Sequence, residues 1–263
     1  TTGTTVFNRF CSADLPPRTG LYNPATGKGF DGLIFMNGEE AGNEGRAFGH
    51  VVTGDEKGTS YELPYLGKFS WENSVAHPNS GDRTIVVGLD DSTPGQVYVY
   101  VGDKQDQGNA IERAGLQNGY LYGIKVTNGG TNYGGGAVPL ENNGAVNGTF
   151  GLFPFTRAQA AGTGAALQQL SRDNGVTEFA RPEDGHWDTK NPNVFYWVTT
   201  GRSGQRRSQC AQRSLDHGFL QRHSSADAAP VHRRASRNAE APLQRAAPAR
   251  PPALWSPCNT STT

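Results

Sequence analysis

Thr84-Ile85-Val86-Val87-Gly88-Leu89-Asp90-Asp91-Ser92-Thr93-Pro94-Gly95-Gln96-Val97-Tyr98-Val99-Tyr100-Val101 reads as two strands and the turn that joins them. The first half is a nearly unbroken apolar run rich in β-branched residues, which suits a strand buried on both faces. The second half alternates Val with Tyr, the two-residue period of a strand. Pro94-Gly95 lies between them, where proline presets φ and glycine accepts the conformations a tight turn needs. The stretch therefore predicts an antiparallel hairpin, with Asp90 and Asp91 standing where its first strand ends.

Working outward, residues 33–36, 47–53, 120–126 and 194–199 carry further strand-like runs bounded by Gly, Asn and Asp. Residues 164–172 form a single helical candidate, too short to change the class. Gly129-Gly130-Thr131-Asn132-Tyr133-Gly134-Gly135-Gly136 reads as a loop; it lacks the strand-to-helix setting and the lysine of a phosphate-binding loop. Short strands at this spacing predict an all-β fold, a sandwich or a propeller.

The chain of 263 residues has a formal net charge of zero, but the zero hides a break. Residues 202–263 hold ten Arg, no Lys and only Asp216, Asp227 and Glu240 as acids, which leaves 14 basic and 21 acidic residues in 1–201. The tail is an Arg, Ala, Pro and Ser mixture without sustained period, and such a segment buries too little apolar surface to offset the entropy of ordering it. A basic tail of this kind binds nucleic acid in some proteins. The abrupt, lysine-free change instead predicts out-of-frame translation, so the tail is expected to be disordered and no nucleic-acid partner is inferred from it. Residues 1–201 are the expected native domain.

Three cysteines, Cys11, Cys210 and Cys258, give neither a disulfide framework nor a paired-thiol metal motif. Cys11 reads most simply as a buried small hydrophobe. No leader-like segment opens the sequence, and no apolar run is long enough to span a bilayer. Asn147-Gly148-Thr149 matches a glycosylation sequon, a match that arises often by chance.

Four acidic knots remain: Asn37-Gly38-Glu39-Glu40, Trp71-Glu72-Asn73, Leu89-Asp90-Asp91 and Arg181-Pro182-Glu183-Asp184. Carboxylates gathered at strand ends raise one another's pKa and repel unless a cation holds them. Calcium, or iron in a carboxylate cage, fits that need. Each knot has a plainer reading: a solvated loop for Glu39-Glu40, a paired structural acid for Glu72, a turn-capping Asp at 90–91, a local ion pair at 181–184. Adjacent acids on a strand point to opposite faces, so only one of Glu39 and Glu40 can enter a shared site. His50, His77 and His186 lack metal-ligand spacing and read as structural, with His186 raised slightly by its nearness to the last knot.

The order of these motifs resembles the PhoX-type alkaline phosphatases, in particular the branch known mainly as a bacterial domain of unknown function. The resemblance runs through Phe35-Met36-Asn37-Gly38-Glu39-Glu40, Gly67-Lys68-Phe69-Ser70-Trp71-Glu72-Asn73, Val87-Gly88-Leu89-Asp90-Asp91 and Arg181-Pro182-Glu183-Asp184-Gly185-His186-Trp187-Asp188. It implies a β-propeller, here about half of a six-bladed ring, around an iron and calcium centre that hydrolyses phosphate monoesters. It also implies export to the periplasm or beyond. By the same resemblance Glu39, Glu72, Asp90 or Asp91 (Asp91 preferred) and Glu183 match metal ligands, and Arg181 matches the phosphate-facing arginine. The family's cysteine before the first glutamate is Gly38 here, which supplies no ligand, so calcium is the expected cofactor rather than iron. Trp71 stands where the phosphatases more often carry histidine. The expected partner is a phosphorylated small molecule, the expected state a monomer, and the alternative is a calcium-stabilised propeller that binds without catalysis. With later blades missing, this chain alone is expected to be inactive.

Overall fold

The computed structural model describes residues 6–128, 131–132, 148–200, 209–214 and 254–257. The order opens with β1 (Phe10–Asp14), α1 (Arg18–Leu21), the short pair β2 (Tyr22–Asn23) and β3 (Lys28–Gly29), β4 (Ile34–Glu39), β5 (Ala47–Val51) and β6 (Ser60–Glu62). It continues through β7 (Trp71–Ala76), β8 (Arg83–Asp90), β9 (Val97–Asp103), α2 (Ala110–Arg113), β10 (Tyr120–Asn128), β11 (Thr131–Asn132) and β12 (Gly148–Pro154). The helices α3 (Arg157–Ala160) and α4 (Gly164–Asp173) then precede β13 (Pro182–Trp187), β14 (Val194–Thr199), β15 (Gln209–Ser214) and β16 (Leu254–Pro257). The class is all-β, as the strand runs predict.

Two sheets carry the fold. One has four strands in the order β1-β4-β5-β6; the other runs β13-β14-β15-β16-β12-β10-β9-β8-β7, with β11 beside β10. The predicted hairpin is the β8–β9 pair, with Leu89 opposite Val97 and Val87 opposite Val99. Alternation divides its side chains between two cores. Ile85, Val87, Leu89, Val97, Val99 and Val101 pack on one side with Trp187, Phe195 and Trp197. Val86, Tyr98 and Tyr100 pack on the other with Ile34, Met36, Trp71 and Leu167. Burying each such large side chain contributes about 1.5–3 kcal/mol, which is why a sheet covered on both faces tolerates a strand with no polar side.

The large sheet curls so that its two end strands meet. Asn73 Nδ2 on β7 donates to Asp184 Oδ1 on β13 at 3.2 Å, and the indole of Trp187 points at the Val75 carbonyl at 3.4 Å. On the other core α4 is fixed at its start by Thr163, whose hydroxyl accepts from the Ala166 N–H at 3.2 Å.

Several strands lie outside the runs that the sequence marks, β1, β6, β7, β12 and β13 among them. Trp71-Glu72-Asn73-Ser74-Val75-Ala76 shows no alternation because all six residues are buried, polar ones included. Arg181-Pro182-Glu183-Asp184 reads as an acidic knot with no strand pattern, yet residues 182–187 are held extended, with Trp187 packed in the core. In the tail, against its expected disorder, the backbone of β15 pairs with β14 and that of β16 with β12 and β15. The rest of the tail reading, Asn147 of the sequon and most of the Gly129–Gly136 loop lie outside the described residues.

Candidate metal centre

Three strand irregularities shape the site. The β1–β4 register slips between Phe10 and Ala13, the β7–β8 register between Trp71 and Asn73, and the β13–β14 register between Pro182 and Gly185. Cys11, Glu72 and Glu183 each stand inside one of them. A bulge breaks the strict alternation of a strand and re-aims the side chain it contains, so three separate strands send a ligand-type group toward one place. Asp91 joins them from the end of β8, where its N–H donates to the Ser70 carbonyl at 2.8 Å.

Two overlapping groups result. Glu72, Asp91 and Glu183 offer oxygens that all lie within 4.8 Å of one another, and so do ligand atoms of Cys11, Glu40 and Glu72. Glu72 belongs to both. Its carboxylate is buried and accepts from the Cys11 thiol at 3.2 Å. Burial first, then Glu183, Asp184 and Asp91, push the Glu72 carboxyl up to about 7. The Cys11 thiol is pushed up to about 12, by desolvation of the sulfur and then by Glu72 and Glu40. Such mutual opposition is the electrostatic state that an added cation relieves.

Arg181 is the counter-charge already present. Its Nε and Nη2 donate to the two oxygens of Asp91 at 2.7 and 2.9 Å. Nη2 also meets Glu183 Oε1 at 3.0 Å. The Asp91 contact, ahead of Glu183 and Glu40, raises the guanidinium pKa further. Arg181 adopts φ +55°, the left-handed region that few non-glycine residues enter. Thr200 donates to the same Glu183 oxygen at 2.6 Å. Next to this, Asp184 Oδ1 accepts from Ser12 Oγ at 2.7 Å and from Asn73.

Of the residues the sequence singles out, Glu72, Asp91, Glu183 and Arg181 come together, and Glu39 and Asp90 do not. Glu39 faces away: Arg46 Nε and Nη2 donate to its two oxygens at 2.9 and 2.6 Å, and the Asn8 N–H adds a third bond at 2.7 Å. Burial works against the Glu39 carboxylate, yet those donors hold its pKa below the ordinary range. Glu40, on the opposite face as strand alternation requires, occupies the place instead and pairs with Arg9. Asp90 is wholly buried on the far side of the sheet, bound by Ser92 Oγ at 2.8 Å, and burial pushes it up to about 7. Cys11 corrects the sequence reading outright, since it is exposed and bonded to an acid rather than packed in a core. Only its place in Arg9-Phe10-Cys11-Ser12, one strand from the first knot, could have signalled it.

Gly38 has a packing reason. A Cβ built on it would lie 2.3 Å from Trp71 Cβ and 2.4 Å from Trp71 Cγ. A thiol cannot occupy that position while Trp71 fills it. Gly38→Cys is therefore expected to destabilise the chain by about 3 kcal/mol or more, at the upper end of overpacking costs. Urea denaturation checks this, and a neutral substitution would show that Trp71 has room to move.

The family model described as alkaline phosphatase PhoX matches residues 6–237. Among solved structures, one described as Pseudomonas fluorescens PhoX in complex with vanadate, a transition state analogue, is similar at a TM-score of 0.45 and 18% identity. The similarity covers 66% of this chain and 33% of that one, so the chain spans about a third of that protein's length. No curated protein matches it.

Proposed function

The chain belongs to the PhoX alkaline phosphatase family, and from that membership we propose that its acidic cluster serves metal-dependent hydrolysis of phosphate monoesters in the complete protein. The observation that carries the reading is Glu72, shared between two ligand groups, in one of which Arg181 pairs with Asp91 and Glu183. Glu72, Asp91 and Glu183 form an all-oxygen set suited to calcium. Cys11, Glu40 and Glu72 add a thiol to the neighbouring set, a softer donor that serves iron in place of the sulfur Gly38 cannot give. Glu39 and Asp90 have no part in it, because their oxygens are committed elsewhere.

The bound cation would supply charge neutralisation of the phosphoryl oxygens. Arg181 holds Asp91 and Glu183 in position, and its side chain is 42% exposed, so its remaining N–H groups can face a phosphate and stabilise charge in the transition state. We read the four-stranded antiparallel sheet β1-β4-β5-β6 as one blade of a propeller, whose ring the longer protein closes. Activity then belongs to that longer protein, and this chain alone is inactive. We also read 202–263 as out-of-frame sequence; a one-base shift near codon 201 that restores lysine-containing strands tests this. Export to the periplasm or beyond and a monomeric state are part of the same proposal. Among the described residues no helix is long and apolar enough to cross a membrane.

The test is hydrolysis of an aryl phosphate by the frame-restored protein with calcium, and with calcium plus chelator. Turnover that needs calcium and stops on chelation is expected. Calcium binding without turnover would leave the non-catalytic calcium-stabilised propeller as the correct reading.

A further inference from the structure

A cavity of about 410 Å³ opens where β1, β7 and β13 continue past their bulges. The residues three positions on from Cys11, Glu72 and Glu183, namely Asp14, Val75 and His186, all line it. At the rise of a strand that is roughly 10 Å from the acidic cluster. The bonded trio Asp184, Ser12 and Asn73 stands between the two. The volume falls in the range of small-molecule sites.

The floor is apolar: Val75, Ala76 and Trp187 are almost fully buried there. Prolines at 17, 78 and 192 wall it, and none of the described lining residues is Lys or Arg. Two are acids. Asp188 is committed to its own turn, accepting from the Lys190 and Asn191 N–H groups at 2.7 and 2.8 Å and from the Tyr196 hydroxyl at 3.0 Å. Asp14 is half-buried at the wall and receives the Ala76 N–H on Oδ2 at 2.9 Å. Burial pushes its carboxyl above the ordinary range, against the Ala76 bond and the nearby His186. A carbonyl only accepts, so the 2.6 Å contact of His186 Nδ1 with the Trp187 carbonyl places a proton on Nδ1.

We propose that this cavity binds a small organic ammonium ion, its alkyl body on the Val75–Trp187 floor and its charge against Asp14. Among the described lining residues the two carboxylates stand with one histidine and no lysine or arginine, a lining that disfavours phosphate esters, so it is a site separate from the acidic cluster and independent of the phosphatase reading. Apolar walls with one half-desolvated carboxylate select a methylated ammonium over a hydrated metal ion, whose shell the floor cannot replace.

Calorimetric titration of the chain with choline chloride and with 3,3-dimethylbutan-1-ol, its uncharged isostere, tests the proposal. Saturable choline binding is expected, at least about tenfold tighter than that of the alcohol, as one charge contact implies. Asp14→Asn is expected to remove that ratio. Saturating calcium is expected to leave choline binding unchanged. Equal affinity for both probes, no saturable binding, or displacement of choline by calcium would overturn it. The comparison of probes needs no variant, so a folding defect in Asp14→Asn does not decide the outcome.

Discussion

Glu72→Gln lowers calcium affinity by on the order of a hundredfold or more while raising the stability of the calcium-free chain. The two effects have one origin. Glu72 is the carboxylate common to both ligand groups, and replacing it takes an anion from each; even residues that only support metal ligands cost ten- to a hundredfold when removed. Without a cation, the same change relieves a buried acid that Glu183, Asp184 and Asp91 oppose. A gain of about 1–3 kcal/mol is the scale for that relief. Calcium titration by calorimetry and urea denaturation in chelator measure the two sides on one protein. Unchanged calcium affinity would remove Glu72 from the centre, and the opposite signs distinguish a ligand from a residue whose loss only damages folding.

The calcium-free chain loses stability as pH rises from 5 to 7.5. Asp90 and Glu72 both have folded pKa values of about 7, above the values of unfolded carboxylates near 4. Between those limits the folded chain holds protons that the unfolded chain has released, so the stability gradient with pH is negative. Their contribution is fully present below about pH 4 and lost by passage through pH 7, on the order of 3–4 kcal/mol for each group. Lys104 works in another window. Burial lowers its pKa to about 8, so its penalty fades as pH climbs from about 8 toward 10.4, and readings at or below pH 7.5 avoid it. Saturating calcium is expected to remove the Glu72 share, and Asp90→Asn the Asp90 share. Urea midpoints across this range that rise or stay flat in chelator would refute both assignments.

What the sequence revealed and what it hid divide along physical lines. The β8–β9 hairpin was legible because Val-Tyr alternation, the apolar run and Pro94-Gly95 all point to one structure. The acid content of the site was legible as composition, and Asp91, Glu183 and Arg181 do converge. Facing was not. Glu39 and Glu40 are equivalent as letters, and only the position of Arg46 decides which turns outward. Cys11 and Glu72 depend on register slips, which arise from pairing between strands and leave no mark on the local pattern. Gly38 looked like a missing ligand, whereas Trp71 shows that the space itself has been taken.

The meeting of β7 with β13 has a consequence for the order of events in folding. The Arg181–Asp91, Asn73–Asp184 and Ser12–Asp184 bonds span 90, 111 and 172 residues. Contacts so distant along the chain close the largest loops and carry the largest entropic cost, so they form after the hairpins have paired. The acidic pocket is then absent from the rate-limiting transition state. Calcium should leave the refolding rate nearly unchanged and act almost wholly by slowing the rate at which the native chain opens. A cation held there works as a lock rather than a nucleus.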